Sequence, residues 1–187
     1  MFGLPGEAVG AIVAATIAGF VAFFSLIITK EQTVSSFRQQ WIDALREDIS
    51  AVSAYASGIH GASIVKRNSG QELWDSVKED FAGLNLVLAK IRLRLNPDEK
   101  KKKEREATLT VLETLKDLES IFSSANPQFH RLDALVITLV SAAHVILKEN
   151  WKRVRSGEPV YQITKWVALG LTVAFVIALL LHMFKLI

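Results

Sequence analysis

An all-α fold, with two transmembrane helices flanking a cytoplasmic antiparallel four-helix bundle, is predicted by three features of this 187-residue chain. Long uncharged apolar runs lie near both ends. Between them apolar residues recur at helical spacing. No period-two alternation of Thr, Val and Ile marks a strand. The overall composition, 50% hydrophobic with mean hydropathy +0.28, hides this division. Of 22 Lys+Arg and 19 Asp+Glu, only Glu7 falls within residues 1–29 and only Lys185 within 166–187. Such a distribution excludes a plain soluble domain and a polytopic transporter. It divides the chain into an N-terminal span (1–29), a charged middle (30–160) and a C-terminal span (161–187).

The first run, Ala8 to Thr29, is uncharged for 22 residues, and about 20 suffice to cross a bilayer core. It lacks the basic leader and small-residue cleavage site of a signal peptide, so a membrane-spanning helix is expected. The first helix of the middle is expected from Val34 to Ala56, with Phe37, Trp41, Leu45, Ile49 and Val52 inside. No Gly or Pro separates Phe20 from Tyr55, so this helix is expected to continue unbroken from the span. Gly58, Gly61 and Asn68-Ser69-Gly70 are read as its end and a loop. A second helix, Gln71 to Leu95, carries Trp74, Val77, Phe81, Leu84, Leu88, Ile91 and Leu95 in alternating steps of three and four, a heptad seam. Asn96-Pro97-Asp98-Glu99 is expected to cap and open a third helix running to Ser124, with Leu112, Leu115, Leu118 and Phe122 inside. A second Asn-Pro, Asn126-Pro127, opens a fourth, carrying Leu132, Leu135, Leu139, Ala143 and Ile146 toward Arg155. Ser156-Gly157-Glu158-Pro159 breaks it before the second apolar run, Trp166 to Leu181. That run is uncharged for 16 residues, with Trp166 and Tyr161 suited to the near interface and Lys185 able to snorkel to the far one.

Lys30, Arg38 and Arg46 follow the first span, and Lys148, Lys152, Arg153, Arg155 and Lys165 precede the second. The positive-inside rule therefore places the middle in the cytoplasm and both termini on the periplasmic side. Zero Cys accords with a reducing compartment. In an up-and-down bundle the turn between helices two and three points back at the bilayer. Its Lys100, Lys101, Lys102 and Lys103, together with Lys152, Arg153 and Arg155, would form a basic collar on membrane lipids, each residue contributing about 1 kcal/mol near an anionic surface. Two other readings stand beside it: a solvated helix start, or a nucleic-acid contact.

No catalytic constellation is present in the sequence. There is no phosphate-cradling loop, no His-Glu-x-x-His and no thiol. His60, His130, His144 and His182 share no metal-ligand spacing, and the His60/Ser63 pair reads as a loop joining two helices. Asp43, Glu47 and Asp48 read as a solvated, ion-paired face. No enzyme activity, cofactor, metal or small-molecule substrate is expected, and the uncharged spans offer no proton relay. Gly10, Ala14 and Ala18 in the first span, and Gly170, Ala174 and Ala178 in the second, form small-xxx-small rows. Such rows let helix backbones approach, either between the two spans of one chain or between copies in a homo-oligomer.

The segment Ser35-Ser36-Phe37-Arg38-Gln39-Gln40-Trp41-Ile42-Asp43-Ala44-Leu45-Arg46-Glu47-Asp48-Ile49 is the most distinctive stretch. It resembles a Phe-Arg-Gln-x-Trp-Ile-x-x-Leu-Arg segment that follows the first span in small bacterial membrane proteins. Some of these look like the two-span effectors of retron-type anti-phage systems. The resemblance implies an inner-membrane toxin held by a ribonucleoprotein partner, a reverse transcriptase with its RNA–DNA product, and released on infection. On the residues themselves, Phe37, Trp41 and Leu45 are expected on the core face. Arg38, Gln39 and Arg46 are expected either in an ion-pair network or on a surface for a cytosolic partner. A membrane-anchored adaptor that recruits such a partner is the alternative function.

Overall fold

A computed structural model describes residues 6–65, 69–124, 127–157 and 159–185. Among them are five α-helices, α1 (Gly6–Ile64), α2 (Gly70–Arg94), α3 (Lys102–Ser123), α4 (Leu132–Ser156) and α5 (Pro159–Lys185), a 3-10 turn at Phe129–Arg131, and no strand. The chain divides into two compact units, one of residues 38–152 and one of residues 1–37 with 153–187. Two helical stretches, within 10–64 and 129–178, are long and apolar enough to cross a membrane.

In the unit of residues 38–152, four helices contribute to one apolar core. On α1 the fully covered residues are Ile42, Leu45, Ile49, Val52, Ala56 and Ile59, in strict steps of three and four. Leu45, Ile49 and Val52 are inside as expected, whereas the start of the stripe differs. Ile42 is 0% exposed whereas Phe37 is 65% exposed. Five residues at about 100° each place the two on different faces of a helix. Trp41 is half-buried and spends its polar edge on a backbone bond, Nε1 donating to the Arg94 carbonyl at 3.3 Å. On α2, Val77, Leu84, Leu88, Ile91 and Leu95 are buried as the seam requires, while Trp74 is exposed. The remainder of the core comes from Val111, Leu115 and Leu118 on α3 and from Leu132, Leu139, Ala143 and Ile146 on α4. Ring contacts extend it: Phe81 meets Phe122 at 4.8 Å between centroids, and Phe122 meets Phe129 at 6.4 Å.

Two helix ends fall away from the glycine and proline signals. α1 continues through Gly58 and Gly61 to Ile64, so residues 58–63 are helix rather than loop. Each such glycine costs a helix about 1 kcal/mol relative to Ala, and burial of Ile59 in the core offsets it. Gly58 also admits Asp80, whose Oδ2 would lie 2.7 Å from a Cβ at that position. α3 begins at Lys102, not at Pro97. Asn96 Oδ1 accepts from the Asp98 amide at 3.0 Å, and Glu99 Oε1 accepts from the Lys100 amide at 3.0 Å. The would-be caps therefore close a turn instead. α2 starts on Ser69, whose hydroxyl accepts from the Glu72 amide. Asn68, Asn126 and Glu158, expected at helix boundaries, lie outside the described residues.

In the unit of residues 1–37 and 153–187, α4 ends at Ser156 and Gly157 takes φ 77°, the left-handed conformation that terminates helices. Its amide donates to the Arg153 carbonyl at 2.9 Å. Here the N-terminal part of α1 turns Val13, Thr16, Phe20, Phe24 and Ile27 away from solvent, and α5 does the same with Ala168, Thr172 and Phe175. Phe20 and Phe175 meet at 5.8 Å.

At Gly83 the Tyr55 ring of α1 packs directly against the α2 backbone. A Cβ there would lie 2.5 Å from the Tyr55 ring. In an unhindered helix Gly→Ala gains about 1 kcal/mol. At this contact Gly83→Ala is expected to lower stability by about 1–3 kcal/mol through overpacking. Urea unfolding of the detergent-solubilised chain measures it, and Gly83→Ala combined with Tyr55→Leu should recover most of the loss.

Candidate functional site

The most constrained polar chemistry of the described residues is a cluster buried among α1, α3 and α4. Asn150 continues the apolar stripe of α4 one turn beyond Ile146, which points its amide into the core; it is 5% exposed. Glu104 occupies the corresponding place on α3, one turn before Ala107 and Thr108, and is 4% exposed. The Asn150 Nδ2 donates to Glu104 Oε1 at 2.8 Å and to the Ile146 carbonyl at 3.0 Å. Arg38 Nη1 donates to Asn150 Oδ1 at 2.9 Å. An amide thus bridges a guanidinium and a carboxylate, using both its donor and acceptor ends. Arg38 is half-buried and takes part in this internal network.

A second charged pair lies nearby in sequence. Arg94 Nε donates to Asp48 Oδ2 at 2.6 Å, and the Asp48 side chain is 7% exposed. Asp48 therefore leaves the solvated face expected of it, because it follows Leu45 by three residues on the inward stripe. Asp43 keeps to that face, pairing with exposed Arg46 at 2.9 Å. Gln39 is exposed, and Leu45 is in the core. No buried side-chain nitrogen or oxygen among the described residues lacks a hydrogen bond.

The basic turn gathers next to this cluster. Lys100, Lys101, Lys102 and Lys103 are all exposed. Glu149, the residue before Asn150, lies 2.8 Å from the Lys152 Nζ and 3.7 Å from the Lys103 Nζ. The hydrogen bond from Lys152 holds its carboxyl below the usual carboxylate range, with Lys103 and Lys101 adding to the effect. Lys102 pairs with Glu106 at 3.9 Å. Lys102, Lys103 and Lys152 of the expected collar thus make ion pairs from exposed side chains, where solvent screens them. Arg153, half-buried, and Arg155, exposed, belong to the other unit.

In that other unit Gly10, Ala14 and Ala18 on α1 and Gly170, Ala174 and Ala178 on α5 are all exposed. A Cβ built on Gly10, Gly19 or Gly170 meets no atom within 4 Å. Thr16, Phe20, Ala168, Thr172 and Phe175 are turned from solvent instead, and the small rows face outward. The side chains of His182 and Lys185 lie outside the described residues.

The His60/Ser63 pair also resolves. Ser63 Oγ donates to the His60 carbonyl at 2.7 Å, and the imidazole Nδ1 lies 3.3 Å from Asp133 Oδ2. The hydroxyl and the ring serve separate local contacts within and beside α1. Sequence reasoning passed over Asn150 and Gly83, and counted Glu104 only among the charges of a solvated helix start, whereas it is buried. For Asn150 and Glu104 the signal is a polar residue at the next step of an apolar stripe. For Gly83 it lies only in the tertiary contact with Tyr55. No protein-family model, curated protein or solved structure matches the chain.

Replacing Asn150 removes both ends of the bridge while Glu104 stays buried. Asn150→Leu is expected to destabilise the protein by about 1–3 kcal/mol, the cost of deleting hydrogen bonds from a buried polar cluster. The double substitution Asn150→Leu with Glu104→Leu should recover part of it. Urea midpoints of the solubilised chain give both numbers, and equal midpoints for wild type and Asn150→Leu would contradict the bridge.

Proposed function

We propose that this chain is a non-enzymatic effector of the bacterial inner membrane, acting in anti-phage defence by assembling in the bilayer and permeabilising it once a partner releases it. In this reading α5 and the N-terminal part of α1 span the membrane. Residues 38–152 form an antiparallel four-helix bundle in the cytoplasm, and both termini lie in the periplasm. Support for the bundle comes from contacts between ends: Arg38, Glu104 and Asn150 gather the start of one helix segment with the start of α3 and the end of α4. Support at the other end comes from Phe81, Phe122 and Phe129.

The observation that carries the effector reading is the outward placement of both small-residue rows on helices that pair through other side chains. Close backbone approach between helices in lipid is favoured by such rows, and among the described residues both rows are exposed. The resemblance of residues 35–49 to two-span defence effectors supplies the biological context, with a reverse transcriptase ribonucleoprotein as the restraining partner. The basic turn at 100–103 is proposed to hold anionic lipid at the inner leaflet, worth about 1 kcal/mol per residue.

A second reading, a membrane-anchored adaptor, is favoured by one feature. Leu86 and Leu93 lie seven residues apart on α2 and are 58% and 88% exposed. Two leucines on one helical stripe, uncovered, suit a cytosolic protein partner.

Induction of the chain alone in bacteria, followed with a membrane-potential dye, separates the two. The effector reading expects depolarisation and growth arrest, both lost when Gly10, Ala14 and Ala18 are changed to Leu while membrane insertion persists. Harmless accumulation at high level would overturn it in favour of the adaptor.

A further inference from the structure

Beside the helix pair of residues 1–37 and 153–187 lies an open groove of about 490 Å³, within the range of roughly 300–1,000 Å³ typical of small-ligand sites. Its two ends differ in chemistry. One wall is Phe23, Leu26 and Ile27, the last turn and a half of the uncharged run that ends at Thr29. Lys30, the first cation after that run, also lines it, with Glu31 and Val34 following on α1 and with Tyr161 and Thr164 of α5. The geometry points to a binding site for one anionic phospholipid of the inner leaflet, an acyl chain lying along Phe23, Leu26 and Ile27 and the phosphate held at Lys30. This rests on the membrane-spanning reading above and adds a defined lipid to it.

The order of residues sets the depth. A ligand here must offer hydrocarbon to the three apolar side chains and a polar group one helical turn further on, where Lys30 leaves the uncharged run. That is the layout of a phospholipid at the boundary between acyl chains and headgroups. The sign of the headgroup follows from the charges. Lys30 has no ion-pair partner among the described residues. Glu31, which also borders the groove, is already engaged in interactions of its own. Its Oε1 is turned toward the start of α5, 3.0 Å from where a Cβ on Gly157 would stand. Lys165 follows Thr164 on α5, is exposed, and carries its ammonium 6.0 Å from the Trp166 ring centroid. Tyr161 places its hydroxyl-bearing side chain beside the groove, so a phosphate oxygen can accept from it as well as from the ammonium. An uncharged or zwitterionic headgroup would complement Lys30 less well.

The test uses the full chain purified in mild detergent, with native mass spectrometry after addition of phosphatidylglycerol or phosphatidylcholine of matched acyl chains. Wild-type protein should retain phosphatidylglycerol over phosphatidylcholine. Lys30→Gln should cut that retention about fivefold, the loss of one basic residue at an anionic headgroup, and leave phosphatidylcholine unchanged. Leu26→Trp, which fills the apolar wall, should lower retention of both. Equal retention of the two lipids by wild type, or undiminished phosphatidylglycerol on Lys30→Gln, would overturn the site. Alkaline carbonate extraction of membranes distinguishes the underlying reading. Release of the protein by carbonate would overturn the membrane span and this site together, whereas an inserted protein without lipid preference overturns the site alone.

Discussion

A buried carboxamide organises the polar interior of residues 38–152. Asn150 sits on an otherwise apolar stripe, and its oxygen and nitrogen find Arg38 on α1 and Glu104 on α3. An apolar core tolerates sliding of one helix on another, since Leu against Leu is much the same one turn along. A buried amide does not, because displacement strands a donor, an acceptor and a carboxylate in low dielectric. The Asp48–Arg94 pair adds the same constraint between α1 and α2. Register among the four helix segments is thereby fixed by hydrogen bonds of defined direction, and the hydrophobic burial follows that register. Every polar atom drawn into this interior is satisfied among the described residues, which is the condition under which such a network stabilises rather than frustrates.

The unit of residues 1–37 with 153–187 obeys a different constraint. Its apolar side chains lie outside as much as inside: Leu26, Val21, Leu171 and Val176 are exposed, while Thr16 and Thr172 turn inward and donate to their own helix carbonyls at 2.7 and 2.9 Å. A water-soluble helix pair would have the opposite arrangement. In hydrocarbon it is the sensible one, since backbone groups must be satisfied within each helix and hydroxyls must bond locally. Small residues on the outer faces then remain available for contact with other helices.

Much of this was legible in the residues. The unbroken α1 followed from the absence of Gly and Pro between Phe20 and Tyr55, and α2 from its three-four spacing. Helix ends were harder wherever side chains competed for the same backbone amides. Asn96 and Glu99 could cap a helix or close a turn, and both choices use the same atoms; the turn prevailed. Phe37 was placed inside because a four-residue step from Trp41 looks helical, but the true seven-residue repeat begins at Ile42. Spacing identified which residues of the spans are small, yet the face on which two helices pair depends on the partner's shape, and Phe20 against Phe175 took that face. The close approach of Tyr55 to Gly83 leaves no trace in periodicity at all.

The account depends most on the claim that two helices cross the membrane with the charged middle inside. The chain contains no Cys, so single cysteines can be introduced at exposed positions and probed with a membrane-impermeant maleimide in intact cells. Glu7→Cys should be labelled from outside. Ser141→Cys should be labelled only after the inner membrane is opened. Labelling of Ser141→Cys in intact cells, or protection of Glu7→Cys, would contradict the account.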